Sequence, residues 1–301
     1  MTLSRSTFLK LGTAALVGGP AAAQTGPRMQ TRKIPSTGES LPVVGCGTWR
    51  TFDVGAAPAE RAPLAEVLRV LFDAGGSVID SSPMYGKAEG VVGDLLAAAG
   101  TRDKAFLATK VWTSGREAGI AQMNESFRLL RTNRIDLMQI HNLLDWQTHL
   151  PTLRAWKKEG RIRLLGVTHY TESAHGALEA TLKTGGFDFV QVDYSLDDRS
   201  AERSLLPFAA DNGVAVLVNM PFGGGGLLRK LSSRKPPDWA GEIGCTSWAQ
   251  LLLKFVLANR AVTCVIPGTS KPEHMRDNVQ AGLGVYPDAA MLQRMVREIA
   301  V

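Results

Sequence analysis

The feature that most constrains this chain is an alternation. Short runs rich in β-branched and aromatic residues at 77–80, 105–110, 135–141, 163–167, 187–192, 214–218 and 262–266 read as strands. Between or after them lie segments of helical period at 62–74, 87–99, 117–131, 148–159, 172–183, 201–211, 247–259 and 272–282, with a last amphipathic segment at 288–299 that would pack outside the rest. Upstream, residues 29–33 and 43–47 flank the turn cluster Pro35, Ser36, Thr37 and Gly38, which predicts a small hairpin leading into a first strand. Eight strands, most followed by a helix, with no Gly/Pro-rich linker, predict one α/β domain over residues 24–301. That domain is a (β/α)8 TIM barrel with a short N-terminal β-hairpin. The first strand does not run through a Gly-x-Gly-x-x-Gly turn into a helix, which argues against an open dinucleotide-binding sheet. With 301 residues, 45% hydrophobic and 21% charged, the chain can fill a core of this size.

Formal net charge is +6, but the bases are interleaved with acids and form no stripe with aromatics, so nucleic acid is not an expected partner. Residues 1–23 read as an export signal: Arg5 and Lys10, an apolar run at 11–23, and Ala21, Ala22 and Ala23 before Gln24 as an A-x-A cleavage site. The run is too short for a membrane span. Residues 4–10 resemble the twin-arginine export motif with Ser6 in place of the second arginine, and the expected location is periplasmic. The alternative is an N-terminal extension on a cytoplasmic enzyme. Cleavage would remove two bases and no acid, lowering the charge to +4. Cys46, Cys245 and Cys264 lack CxxC spacing, and the first and last of the three fall on neighbouring barrel strands, where two separate buried thiols are expected. No histidine spacing predicts a metal site.

Asp80, Lys110 and His141 end three successive strands, about one strand-helix unit apart, and Tyr85 follows on the loop above the first of these. In a parallel barrel that register brings all four to the C-terminal rim, where catalytic groups of this fold gather. Singly each has a plain structural explanation. Together they place ionisable groups side by side where water is scarce, which demands mutual pairing or a function.

These residues, together with Gly45 to Trp49, the block from Phe72 to Gly86, Ala108 to Lys110, Met138 to Asn142, Gly166 to Thr168, and Ile266 to Glu273 with Asn278, resemble the aldo-keto reductase family. The resemblance implies hydride transfer from NADPH, with NADH as the alternative, to the carbonyl of a small molecule. Tyr85 would donate the proton to the oxygen, and His141 would donate a hydrogen bond to it. A free phenol has a pKa of about 10, so a nearby Lys110 ammonium, paired with Asp80, is expected to make Tyr85 more acidic. The resemblance also implies a cofactor site from Gly47, Thr48, Thr168, His169, Gln191, Asn219, Pro221, Phe222, Gly223, Thr269, Ser270, Lys271, His274 and Asn278.

Ser270 to Glu273 read as a capping box opening a helix at the phosphate site, with Lys271, His274 and Arg276 as nearby positive charge. The chain departs from the family pattern at Gly268 and His274, often Lys and Arg, and at Asn219, where an aromatic commonly stacks on the nicotinamide. Phe222 is a candidate substitute. The four glycines 223–226 read equally as a pyrophosphate cradle or a solvent loop. Trp49 and Trp112 are expected as apolar walls of an open substrate site. Two rival functions fit parts of the pattern: a redox-sensing barrel with little turnover, and a Schiff-base lyase using Lys110.

Overall fold

The computed structural model describes residues 28–299, so the export segment read at residues 1–23 lies outside the described residues. A hairpin of β1 (Thr31–Lys33) and β2 (Ser40–Pro42) comes first, antiparallel, with Thr31 opposite Pro42. Its second strand ends before residue 43, so the run at 43–47 belongs to the barrel alone. The barrel strands follow as β3 (Cys46–Gly47), β4 (Val78–Asp80), β5 (Phe106–Val111), β6 (Ile135–His141), β7 (Ile162–Thr168), β8 (Phe189–Asp193), β9 (Ala215–Asn219) and β10 (Val262–Val265). They form one parallel sheet in sequence order. Bridges between Val44 and Val265 and between Gly47 and Gly268 join its two edges, closing the (β/α)8 barrel. The N–H of Gly45 donates to Val265 O at 2.8 Å and that of Val265 to Val43 O at 2.9 Å along this seam.

Period two along the strands divides the barrel interior into an apolar floor and a polar top. Val78, Phe106, Ala108, Leu137, Leu164, Phe189, Ala215, Leu217, Cys264 and Ile266 pack together, with Ile34 and Leu41 of the hairpin in the same cluster. One or two steps of two further along, the same strand faces present Asp80, Lys110, Gln139, His141, Thr168, Gln191, Asp193 and Asn219. The polar ring is therefore a consequence of register. Gly166 completes it, because a Cβ there would lie 3.0 Å from Gln139 Cγ and 3.2 Å from Phe189 Cβ.

Outside the strands run α1 (Pro58–Asp73), α2 (Ala88–Ala99), α3 (Arg116–Leu129), α4 (Trp146–Lys158), α5 (His175–Leu182), α6 (Leu205–Asp211), α7 (Gly226–Leu231), α8 (Trp248–Ala258), α9 (Pro272–Gln280) and α10 (Ala289–Ile299). Their apolar faces build the larger core against the outer strand faces, for example Leu64, Val67 and Leu71 of α1. The segment expected to be helical at 201–211 is broken at Ser204 (φ −147°, ψ −47°), with a 3-10 turn before it and α6 after it. The glycines at 223–226 are a turn that enters α7, a helix absent from the sequence reading. At the floor, the Arg32 guanidinium donates to Asn259 O at 2.8 Å and to Leu257 O, satisfying carbonyls left open at the end of α8, and also to Val262 O at the start of β10. Among the described residues no helix is long and apolar enough to cross a membrane.

Candidate active site

The sheet brings Asp80, Lys110 and His141 together at one end of the barrel. Lys110 is fully enclosed; its Nζ donates to Asp80 Oδ2 and to Ser81 O, both at 2.7 Å. The other carboxylate oxygen, Asp80 Oδ1, accepts from Gln139 Nε2 at 3.0 Å and from Gln191 Nε2 at 2.9 Å. A buried ion pair is tolerable only when its remaining valences are filled, and here two amides and a backbone carbonyl fill them. Tyr85 lies over this pair, with Lys110 Nζ 5.0 Å from its ring centroid. The His141 ring stands edge-on to that of Tyr85 at 5.8 Å, and the Trp112 ring lies 6.4 Å from it.

The electrostatics differ in one respect from the sequence reading. Burial pushes the Tyr85 phenol above its ordinary value; Lys110 pulls the other way and Asp80 adds to the rise, and the net direction is up. Tyr85 is therefore held protonated rather than made more acidic overall. Lys110 resists deprotonation: burial works against the ammonium, but Asp80 and Tyr85 together outweigh it, and its pKa is raised. His141 is pushed down to about 2, first by burial and then by the charges of Lys110 and His169.

A histidine whose folded pKa is depressed destabilises the fold where only the unfolded chain can take the proton. Stability attributable to His141 is thus fully present above about pH 6.5 and falls toward acid. Chemical denaturation of the wild type should show a steeper loss below that pH than His141→Gln, by up to about 1.4 kcal/mol per pH unit. Equal slopes would refute the shift.

Gln139 was not singled out from the sequence, although it lies two residues before His141 and so on the same strand face. It is fully buried. Replacing it by leucine removes one of the two amide donors to Asp80 Oδ1, and should cost about 1.5–3 kcal/mol in urea denaturation. A neutral result would mean that Gln191 and Lys110 alone satisfy the carboxylate. A second buried pair also escaped the sequence: His175 Nε2 lies 3.0 Å from Asp193 Oδ1, one step beyond Gln191.

The expected cofactor residues divide into four groups. Thr168, Gln191, His169 and Asn219 are joined directly: Thr168 Oγ1 donates to Gln191 Oε1 at 3.2 Å, and Asn219 Nδ2 donates to His169 O at 3.1 Å. Asn219 Oδ1 is buried with no hydrogen-bond partner among the described residues. Gly47 and Thr48 serve the barrel itself. A Cβ on Gly47 would sit 2.8 Å from Ile266 O at the seam. The Thr48 N–H donates to Asp80 O at 3.0 Å, and its hydroxyl lies 2.9 Å from Ser81 Oγ.

The third group is the loop after β10 with α9. Ser270 does not cap the helix: Pro272 takes its first position, which puts the cap on Lys271, whose N–H donates to Thr269 Oγ1 at 3.0 Å. The capping box is therefore not formed. His274 Nδ1 lies 3.4 Å from Thr269 Oγ1, and Asn278 is buried in α9. Arg276 is turned away from this loop onto Glu66 of α1 at 2.7 Å, so it adds no free charge there. Pro221, Phe222 and Gly223 form the turn after β9, with Phe222 half-buried against the outer core. Trp49 and Trp112 stand at the rim, 47% and 40% exposed, and Arg50 lies over the Trp49 ring at 4.2 Å. Among the described residues no cluster of three or more metal-ligating side chains occurs.

Comparison with known proteins agrees with this arrangement. Residues 43–293 match the model of the Aldo/keto reductase family. The chain is 31% identical over 264 residues to Methylglyoxal reductase YeaE of Escherichia coli (strain K12), covering 83% of this chain and 89% of that protein. It is 25% identical to the NADH-specific methylglyoxal reductase of the same organism, covering 89% and 99%. A solved aldo/keto reductase from Klebsiella pneumoniae, in complex with NADP and acetate, superposes with a TM-score of 0.72 at 26% identity, covering 86% of this chain and 92% of that one. A match that spans nearly the whole barrel, on a chain whose strand ends carry this set of polar groups, leaves one assignment: the chain belongs to the aldo/keto reductase family.

Proposed function

We propose that this chain is an NAD(P)H-dependent reductase of small aldehydes or ketones, and that Asp80, Tyr85, Lys110 and His141 carry the reaction. The observation that carries the reading is the enclosed Lys110 ammonium, paired with Asp80 at 2.7 Å beneath the Tyr85 ring. A phenol held protonated beside a permanent positive charge can give up its proton to a substrate oxygen and leave a phenolate that Lys110 stabilises. Asp80 keeps the ammonium charged and in place. His141, neutral across the working pH range, donates a hydrogen bond where negative charge develops on that oxygen. Trp49 and Trp112 supply apolar walls that exclude water from the mouth.

The unpartnered Asn219 Oδ1, beside Thr168, His169 and Gln191, suits a group with N–H donors, and the carboxamide of a nicotinamide is one. The cofactor supplies the hydride when bound. Those four residues would hold its carboxamide, Pro221, Phe222 and Gly223 its pyrophosphate, and Thr269, Ser270, Lys271, His274 and Asn278 its adenosine end. With Arg276 paired to Glu66, Lys271 is, among the described residues of this loop and α9, the lysine or arginine left to favour a 2'-phosphate, and NADPH is the preferred cofactor. Fluorescence titration with NADPH and NADH tests that preference; tighter binding of NADH would reverse it. The enclosure of Lys110 and its raised pKa count against the Schiff-base alternative, which requires a neutral, accessible amine.

Because YeaE is named a methylglyoxal reductase, methylglyoxal is the first substrate to try. Substrate-dependent loss of NADPH absorbance tests turnover, and NADPH binding without turnover of any aldehyde would favour the sensor reading. Arg5, Lys10, the apolar run and the A-x-A site support export of this reductase to the periplasm, with residues 1–23 removed. Mass spectrometry of the protein from its native host, with Gln24 as the first residue, is the expected result; an intact N-terminus would count against cleavage.

A further inference from the structure

One enclosed hydroxyl at the rim has no part in the scheme so far. Ser82, the second residue after β4, is fully buried, with Oγ 3.0 Å from His141 Nδ1. The backbone N–H of Met84 donates to the same oxygen at 3.4 Å. Among the described residues these are its two partners. A neutral imidazole carries one proton, on Nδ1 or on Nε2, and the other nitrogen accepts.

Counting protons separates the two forms. If Nδ1 carried the proton, Ser82 Oγ would face two donors and its own buried proton would have no acceptor, an arrangement that folded proteins avoid. With Nδ1 bare, Met84 donates to the serine, the serine donates to Nδ1, and each group is paired. No partner within the described residues occupies His141 Nε2, which is then the nitrogen that carries a proton free for a ligand. The imidazolium does not compete, since burial, Lys110 and His169 hold the ring neutral.

Resting on the assignment of His141 as donor to the substrate oxygen, we propose that Ser82 is a positioning residue: its hydroxyl donates to His141 Nδ1, fixes the Nε2–H tautomer and holds the ring with that N–H toward the reacting carbonyl. Ser82 touches neither substrate nor cofactor in this role. It acts through the imidazole.

The test is a long-range proton–nitrogen correlation spectrum of the full chain labelled in its five histidines, with His141→Gln identifying the resonance. The wild type is expected to show a bare Nδ1 and a protonated Nε2 from about pH 5 to pH 8. A protonated Nδ1 overturns the proposal, and this readout requires no variant of Ser82 to fold. Ser82→Ala is expected to mix the ring states and to lower kcat about tenfold, with KM for the carbonyl changed by less than about twofold. Ser82→Thr keeps the hydroxyl and should restore both spectrum and rate. A Ser82→Ala protein with the wild-type spectrum and kcat overturns the role of Ser82 while leaving His141 in place. Full kcat in His141→Gln overturns the assignment of His141 itself.

Discussion

Tyr85→Phe should lower kcat for aldehyde reduction by about 10³-fold while leaving NADPH affinity within about twofold of the wild type. The substitution removes one oxygen and nothing else. The phenyl ring keeps its place against the outer core, its edge contact with His141 and its position over Lys110. The hydroxyl is the proton source in the proposed scheme, and burial holds it protonated. Stability should be little changed, because the Lys110 ammonium keeps its bonds to Asp80 Oδ2 and Ser81 O. Steady-state kinetics with a saturating aldehyde, beside a fluorescence titration of cofactor, separate the two effects. Unchanged turnover would remove Tyr85 from the chemistry.

A loss of a different kind is expected from Lys110→Met. The side chain is close to the lysine in length and apolar, so packing is nearly kept, but the Asp80 carboxylate is left enclosed with only the amides of Gln139 and Gln191. Removing one partner of a buried pair typically costs about 3–5 kcal/mol, and that is the expected drop in urea denaturation. Turnover should fall as well, since the phenolate would lose the cation that stabilises it. The double substitution Asp80→Leu with Lys110→Met distinguishes these contributions. It should recover part of the stability, because an apolar pair avoids the desolvation of two charges while the Gln139 and Gln191 amides lose their acceptor, yet none of the turnover. A single variant as stable as the wild type would show that the pair is not what satisfies Asp80.

How much of this was legible before the structure depended on the range of the interaction. The ends of β4, β5 and β6 could be read from the sequence because strand and helix periods fix where a strand stops, and register then places Asp80, Lys110 and His141 on one rim. Gln139 carried the same signal, being two residues from His141, but a polar residue inside a buried run reads as noise until the inward face is known. Ser82 gave no signal, because its partner lies 59 residues away and the contact depends on how a loop folds over a strand end. The sign at Tyr85 was missed for a related reason. The lysine is visible in a sequence, whereas the depth of burial is a property of packing. At the other extreme, the cap at α9 failed on purely local grounds: Pro272 claims the first helical position and moves the cap from Ser270 to Lys271.

The seam between β3 and β10 has a consequence for when this protein can first work. Val44 meets Val265, and Gly47 meets Gly268, across more than two hundred residues of chain. Thr48, immediately beyond that seam, bonds to the backbone of Asp80, so the placement of the carboxylate is tied to the docking of the last strand. Pairings this distant in sequence form late and slowly. A nascent or incompletely folded chain can bring Asp80 and Lys110 together on their neighbouring strands, but the Thr48 contact that braces the Asp80 backbone is secured only with ring closure. Docking of the final strand thus serves as a completion check on the support beneath the ion pair.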